Sequence, residues 1–359
     1  MKKLKLHNMH KKLGFSFKDV HSWTIPSVND FKKEMETARN NVVLLDRSYL
    51  GKILVKGKDG LDLMDRISTN DMKELIVGTA CDTVFCTPKG RIVDFVKVMQ
   101  YKGNHLLISS YLDNNHLIEW INRFIILEDV QLEDSSEQFC WFTLIGSQAR
   151  RFVQQSSGQT IVEEDEIIWL NREGVIFPAL LNNNFNLPAY NFCLSVNEVS
   201  SVFDWLLKEV NAFGGSLIGN DVFQILRIES GMPDWGTELT EDFNPHEARL
   251  INAVSFTKGC YTGQEVIARL DTYDKVQKYL MIIELNERLI DKAPLDIYYD
   301  NERVGNLTSY AFNPLNKSCV GLGYIKKNLV VADFDIAVEV HSAGKTVSGA
   351  LKIPPPKNK

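Results

Sequence analysis

The segment from Lys275 onward constrains the fold most strongly, because short apolar runs alternate there with turn residues and no helical periodicity interrupts them. Six strands are predicted, over Val276–Leu285, Leu295–Tyr299, Arg303–Ser309, Cys319–Ile325, Asp335–Val340 and Val347–Lys352. So many short strands in one small segment predict a small β-barrel. The prolines and lysines from Pro354 onward predict a disordered tail.

Residues 1–274 have a different pattern, in which strands are followed by helices with one apolar face. Thr79–Cys86 and Arg91–Met99 predict an antiparallel pair joined across a Pro-Lys-Gly turn. Further on, an i, i+3, i+4, i+7 stripe predicts a core-facing helix; it consists of Leu117, Trp120, Ile121 and Phe124. Two such units and no βαβ glycine fingerprint predict the α+β class.

Composition limits the partners that the protein can have. The net charge of −6 and the lack of a basic stripe argue against nucleic-acid binding. The apolar runs are shorter than the ~20 residues of a membrane-spanning helix. Six cysteines scattered without a C-x-x-C pair predict reduced thiols in a cytoplasmic protein, with no metal or cluster held by this chain alone.

One cysteine stands in a distinctive setting, the stretch Lys258-Gly259-Cys260-Tyr261-Thr262-Gly263-Gln264-Glu265, just before a predicted helix over Gln264–Leu270. A neighbouring cation and the first turn of a helix both favour thiolate over thiol. Cys260 is therefore a candidate reactive centre, with Lys258 as the supporting cation. The alternative is that Cys260 is a small buried side chain and that the glycines only permit a turn.

Upstream of this stretch the chain contains Arg227-Ile228-Glu229-Ser230-Gly231-Met232-Pro233-Asp234-Trp235-Gly236 and Pro245-His246-Glu247-Ala248. With K-G-C-x-x-G-Q-E, this pattern resembles the YgfZ-type folate-binding proteins, which are linked to iron-sulfur enzyme maintenance and related to the glycine cleavage T-protein, an aminomethyltransferase. The resemblance implies an aminomethyltransferase-like folate-binding module at 1–274, built from two α+β subdomains that can be interleaved, and a C-terminal barrel at 275–359. It also implies tetrahydrofolate or a derivative as ligand and iron-sulfur enzymes or assembly proteins as partners. The motif residues expected to support Cys260 are Gly259, Tyr261, Gly263, Gln264, Glu265 and Arg269.

Asp94 is a candidate folate contact, because it falls on the same strand face as Ile92, Val96 and Val98, where a carboxylate is costly unless it is paired. The alternative is a structural acid paired with Arg91 or Lys97. The resemblance adds Arg227, which could hold a folate carboxylate, and we group Arg91 with both residues. The alternative for Arg227 is a charge on the helix surface. Glu265 and Arg269, spaced i, i+4, are sufficiently explained as an exposed pair.

Three departures separate this sequence from the T-proteins. Where T-proteins have two adjacent aspartates, Val93 precedes a single Asp94; Leu187 stands where their glutamate meets the pterin; and Cys260 replaces an acidic residue. These differences favour a folate-dependent factor for assembly or repair of iron-sulfur enzymes that acts through Cys260. Two alternatives remain, an aminomethyltransferase of one-carbon metabolism and a folate-sensing module in which Cys260 is dispensable.

Overall fold

The structure is a computed structural model that describes residues 1–73, 75–110, 113–161, 167–330 and 336–355. The first elements in chain order are β1 (Lys2–Lys3), α1 (His7–Lys12), β2 (Phe17–Val20), β3 (Trp23–Pro26), α2 (Phe31–Asn40), β4 (Val43–Asp46), β5 (Gly51–Lys56), α3 (Gly60–Ile67), β6 (Ala80–Cys86), β7 (Ile92–Tyr101), β8 (Asn104–Ser109), α4 (Asn115–Asn122) and β9 (Gln131–Asp134). The next are β10 (Phe139–Ile145), α5 (Ala149–Ser157), β11 (Ile167–Arg172), β12 (Val175–Leu181), β13 (Ala189–Ser195), α6 (Val199–Ala212), β14 (Ser216–Leu217), α7 (Asn220–Glu229) and α8 (Gln264–Thr272), with a 3₁₀ turn at Ile251–Ala253. The last are β15 (Lys278–Leu285), β16 (Leu295–Tyr299), β17 (Glu302–Asn313), β18 (Ser318–Lys326), β19 (Ile336–Ser342) and β20 (Lys345–Lys352), with a 3₁₀ turn at Lys327–Leu329.

A five-stranded antiparallel sheet, ordered β6-β7-β8-β5-β9, forms the first α+β layer. Helices α3 and α4 cover it, and the predicted stripe on α4 is confirmed, since Leu117, Trp120 and Ile121 are buried in one apolar cluster and Phe124 packs against it. The predicted β6–β7 pairing is also confirmed. Burial of this stripe explains why the short helix forms, because tertiary packing supplies most of the stability of a helix of this length.

A six-stranded sheet, ordered β11-β12-β13-β10-β4-β14, forms the second layer, and α5 and α6 pack against it. Strand β4 belongs to this sheet although the five-stranded sheet lies between β4 and β10 in sequence. The chain therefore exchanges a segment between its two α+β units. A small sheet, ordered β1-β3-β2, precedes them.

Strands β15 to β20 close into a six-stranded barrel in the order β15-β18-β17-β16-β19-β20, which confirms the β-barrel prediction. Alternate residues of β15 and β18 face outward and join the core around α7; they are Leu280, Ile282, Leu322 and Tyr324. The prediction of a disordered tail is wrong for Pro354, which is buried beside Gly231. A Cβ on Gly231 would lie 2.4 Å from the Cβ of Pro354, so glycine permits this contact. Residues 356–359 of the predicted tail lie outside the described residues, as does Asp335.

Candidate functional site

Lys258 anchors the loop that carries Cys260. Its ammonium lies 2.9 Å from Oδ1 of Asp65 and donates to the backbone carbonyls of Asp65, Ser68 and Asn70, and its side chain is fully buried. These oxygens lie in the last turn of α3 and just after it, where carbonyls lack helical partners and attract cations. The positive charge of Lys258 was expected to stabilise the thiolate of Cys260. In the structure it is compensated by four oxygen atoms on α3 and just after it.

The loop continues onto the turn between β6 and β7. Gly263 has φ of +84°, and a Cβ there would lie 2.6 Å from the carbonyl oxygen of Thr87. Burial raises the pKa of Tyr261 to about 12, and its side chain belongs to the core around α7, together with Cys86. The amide of Thr262 donates to the carbonyl of Arg66. The conformation of Gly263, the packing of Tyr261 and the hydrogen bond of Thr262 thus hold Cys260 in a defined position.

Cys260 is exposed, whereas the other five cysteines are buried or only partly accessible. Burial raises the pKa of Cys140 to about 11 and that of Cys193 to about 12, and it also raises the pKa values of Cys86 and Cys319. These four therefore remain neutral thiols near pH 7. The alternative that Cys260 is a buried structural side chain is wrong.

Lys73 is a cation beside this loop that the sequence analysis missed. Its Nζ lies 3.9 Å from the position that a Cβ would take on Gly259, the residue before Cys260, and its side chain is exposed. No local signal could have found it, because the two segments are far apart in sequence. In contrast, Glu265 and Arg269 form the exposed pair predicted, with a charge separation of 3.7 Å. Gln264 begins α8, and its amide donates to the carbonyl of Tyr261.

Asp94, on β7, is fully buried, and its carboxylate accepts hydrogen bonds from two serines. Ser109 Oγ donates to it at 2.6 Å, Ser110 Oγ donates as well, and the amides of Phe95 and Ser110 complete the set. Burial raises the pKa of Asp94 to about 7, although these bonds act in the opposite direction. Near neutral pH the group is populated both as acid and as carboxylate, so it can donate or accept a proton.

The alternative that Asp94 pairs with Arg91 or Lys97 is wrong. Lys97 lies 2.8 Å from the carboxylate of Asp82, while Arg91 donates to the carbonyl of Asp242 and lies 3.5 Å from Glu247. Among the described residues, no cation lies within 4.0 Å of Asp94. Arg91 therefore contacts Asp242 and Glu247, and the side chains that contact the carboxylate of Asp94 are those of Ser109 and Ser110.

Arg47 and Tyr49 are buried residues just before β5, the strand that pairs with β8, and the sequence did not single them out. Ser109, the partner of Asp94, pairs across the sheet with Gly51, two residues after Tyr49. Burial raises the pKa of Tyr49, whose hydroxyl lies beside the guanidinium of Arg47. The buried Nε of Arg47 has no hydrogen-bond partner among the residues that the structure describes. A buried donor without a partner is unusual, and an ordered water or a polar group of a ligand would satisfy it.

Arg227 is buried in a network that joins α7 to the barrel, so the alternative of a surface helix charge is wrong. Its guanidinium donates to Gln224, to the carbonyl of Met232, to Glu238 at 3.4 Å and to Ser309 at 3.1 Å. A bidentate contact to a folate carboxylate would require Arg227 to exchange these partners. Within the described part of the chain, no cluster of three or more metal-ligating side chains occurs, and no helix is long and apolar enough to cross a membrane.

Residues 6–179 match a family described as the GCVT N-terminal domain. A protein of Arabidopsis thaliana named "Putative transferase At1g60990, chloroplastic" is 29% identical over 333 residues, which cover 91% of this chain and 74% of that protein. Aminomethyltransferases of Shouchella clausii and Bacillus licheniformis are 28% and 25% identical, and the matches cover 93% and 95% of this chain and 92% and 95% of those enzymes.

The crystal structure of the glycine cleavage system aminomethyltransferase T from Bartonella henselae superposes with a TM-score of 0.81, covering 99% of this chain and 97% of that one at 17% identity. That agreement includes both α+β units and the closed barrel. Residues 6–179 therefore resemble the GCVT N-terminal domain, proteins named aminomethyltransferase are similar along nearly the whole chain, and the chain adopts the fold of that aminomethyltransferase T structure.

Proposed function

We propose that this protein is a YgfZ-type folate-binding factor that supports the assembly or repair of iron-sulfur enzymes through Cys260. The observation that carries the proposal is the position of Cys260, exposed on a loop that Lys258 anchors by a buried ion pair. A thiol presented in this way is open to a macromolecular partner. Thiol exchange and redox chemistry depend on such access.

Asp94, Arg47 and Tyr49 suit a reduced folate. A pterin presents N–H donors and ring nitrogens on one edge, and a carboxyl group with a pKa of about 7 serves either kind of partner. The unpaired Nε of Arg47 supplies a further donor, and Tyr49 supplies an aromatic face. Folate, when bound, would supply one-carbon chemistry. The proposal also includes Arg91 and Arg227 as folate contacts, and Arg227 would make its contact by exchanging partners that it has in the barrel network.

The surface around Cys260 suits a protein partner. Phe256, four residues before the thiol, is 44% exposed, and Lys73 adds a positive charge beside the loop. Exposed aromatic side chains are enriched at protein–protein interfaces. We include iron-sulfur enzymes or their assembly proteins as the partners, and the cytoplasm as the location.

Aminomethyl transfer is the second candidate, favoured by the aminomethyltransferase relatives and by the buried Asp94. One residue argues against this candidate. Leu187 packs on the core around α7 and cannot form a hydrogen bond at the position where T-proteins have a glutamate. Cells that lack the protein separate the two functions when iron-sulfur enzyme activity and glycine cleavage are measured in the same culture. We expect loss of the first, most strongly under oxidant, with the second intact; the reverse result would support the aminomethyltransferase.

A further inference from the structure

A cleft of about 920 Å³ lies between the loop 236–243 and the outer face of the barrel. Thr237 and Phe243 line one side of it, and Asn306, Tyr324 and two lysines line the other. Its volume falls within the range of small-molecule sites, which are mostly apolar with a few placed polar groups. The stacked rings of Phe243 and Tyr324, 3.5 Å apart, form an apolar wall.

The two lysines, Lys278 and Lys326, are direct cross-strand partners on β15 and β18. They continue the outward-facing row in which Leu280 pairs with Tyr324, so both side chains lie on the face that meets the cleft. Like charges directly opposite each other destabilise a sheet. Two lysines in this register therefore require an explanation beyond strand pairing.

Neighbouring groups neutralise this charge only in part. Lys278 Nζ lies 4.3 Å from the centre of the Phe243 ring, a cation–π contact that leaves N–H donors free. Two carboxylates are near. Asp242 lines the cleft, and the carboxylate of Glu247 lies 3.5 Å from Arg91. Burial raises the pKa of Glu247, while the charge of Lys278 acts in the opposite direction. Among the described residues, neither lysine has a carboxylate oxygen within 4.0 Å.

A third cation at the cleft is already neutralised. Arg303 Nε lies 2.7 Å from Asp296, and its terminal nitrogen donates to Asn306 at 2.9 Å. The lysine pair is thus the part of the cleft with unmatched positive charge. We infer that this cleft binds a small oxyanion with several negative charges, held between Lys278 and Lys326 and packed against the Phe243–Tyr324 wall. Phosphates and polycarboxylates share this chemistry.

Calorimetric titration of the whole protein with inorganic tripolyphosphate and, separately, with citrate at low ionic strength tests the inference. At least one of the two should bind, which identifies the class, and salt should weaken the binding because it screens the charges. Exchanging both lysines for glutamine (Lys278→Gln with Lys326→Gln) should raise Kd about tenfold, the sum of two exposed charge contacts.

Two controls sharpen the result. Lys345→Gln, an equal charge change on an exposed barrel residue outside the cleft, should leave Kd unchanged. Asp242→Asn, which removes the acid lining the cleft, should tighten binding about twofold. Thermal melts of each variant establish that it is folded. Absence of binding by both anions, or equal weakening by Lys345→Gln and the double variant, would overturn the inference.

Discussion

Replacing Lys258 by methionine tests whether the anchor beneath Cys260 is the buried ion pair that the structure describes. The methionine keeps much of the side-chain volume but removes a donor to one carboxylate and three carbonyls. Asp65 is 3% exposed and would retain the amide of Met72, 2.9 Å from its carboxylate. Breaking a buried pair in this way costs about 3 to 5 kcal/mol, because the remaining charge stays desolvated.

Urea unfolding followed by tryptophan fluorescence measures this loss. Lys89→Met, on an exposed lysine of the neighbouring turn, is the matched control and should change stability by less than about 0.5 kcal/mol. In a double-mutant cycle, Lys258→Met combined with Asp65→Leu should cost less than the sum of the single changes, because neither charge is then left alone. A loss below about 1 kcal/mol for Lys258→Met, or strict additivity, would show that the pair is exposed or absent and would refute the reasoning.

Three further predictions follow from particular side chains. Asp94 has a folded pKa of about 7, above its unfolded value, so the folded state binds more protons, and stability should fall by at most about 4 kcal/mol as pH rises from about 4 to 7. Asp94→Asn should remove this pH dependence of stability in urea unfolding, and an unchanged pH dependence would contradict the assignment. Arg227→Met should lower stability by about 3 kcal/mol, because it leaves Glu238 buried without its cation; a melting temperature equal to that of the wild type would contradict the network. Competitive alkylation read by mass spectrometry should modify Cys260 at least about tenfold faster than any other cysteine in the folded protein, because the reaction needs access; equal rates would contradict its exposure.

Local periodicity explains what the sequence could predict of the fold. The strand alternation from Lys275 onward, the β6–β7 hairpin and the stripe on α4 each depend on residues close in sequence, and each is present in the structure. The placement of β4 in the six-stranded sheet could not be predicted, because its four buried residues have no alternation and its partners β10 and β14 lie about 100 and about 170 residues further along the chain.

The sequence singled out candidate residues for a site, but it did not predict their contacts. Cys260, Asp94 and Arg227 were singled out, and two of the alternatives weighed for them failed on burial: Cys260 is exposed and Arg227 is not. Lys258 was expected to act on the adjacent thiol, yet its acceptors lie on α3 and just after it, 188 to 193 residues earlier in the chain. Contacts of that separation depend on tertiary packing, which no local pattern contains.

The most direct test of the proposed function is complementation of cells that lack the protein, with the activities of iron-sulfur enzymes measured under oxidant. Cys260→Ser removes the exposed thiol while nearly keeping its size, and Cys81→Ser makes the same change at the partly accessible thiol of β6. We predict that wild type and Cys81→Ser restore these activities and that Cys260→Ser, at equal protein level, does not. Full restoration by Cys260→Ser would contradict a role for the thiol and leave the folate-sensing module as the better explanation.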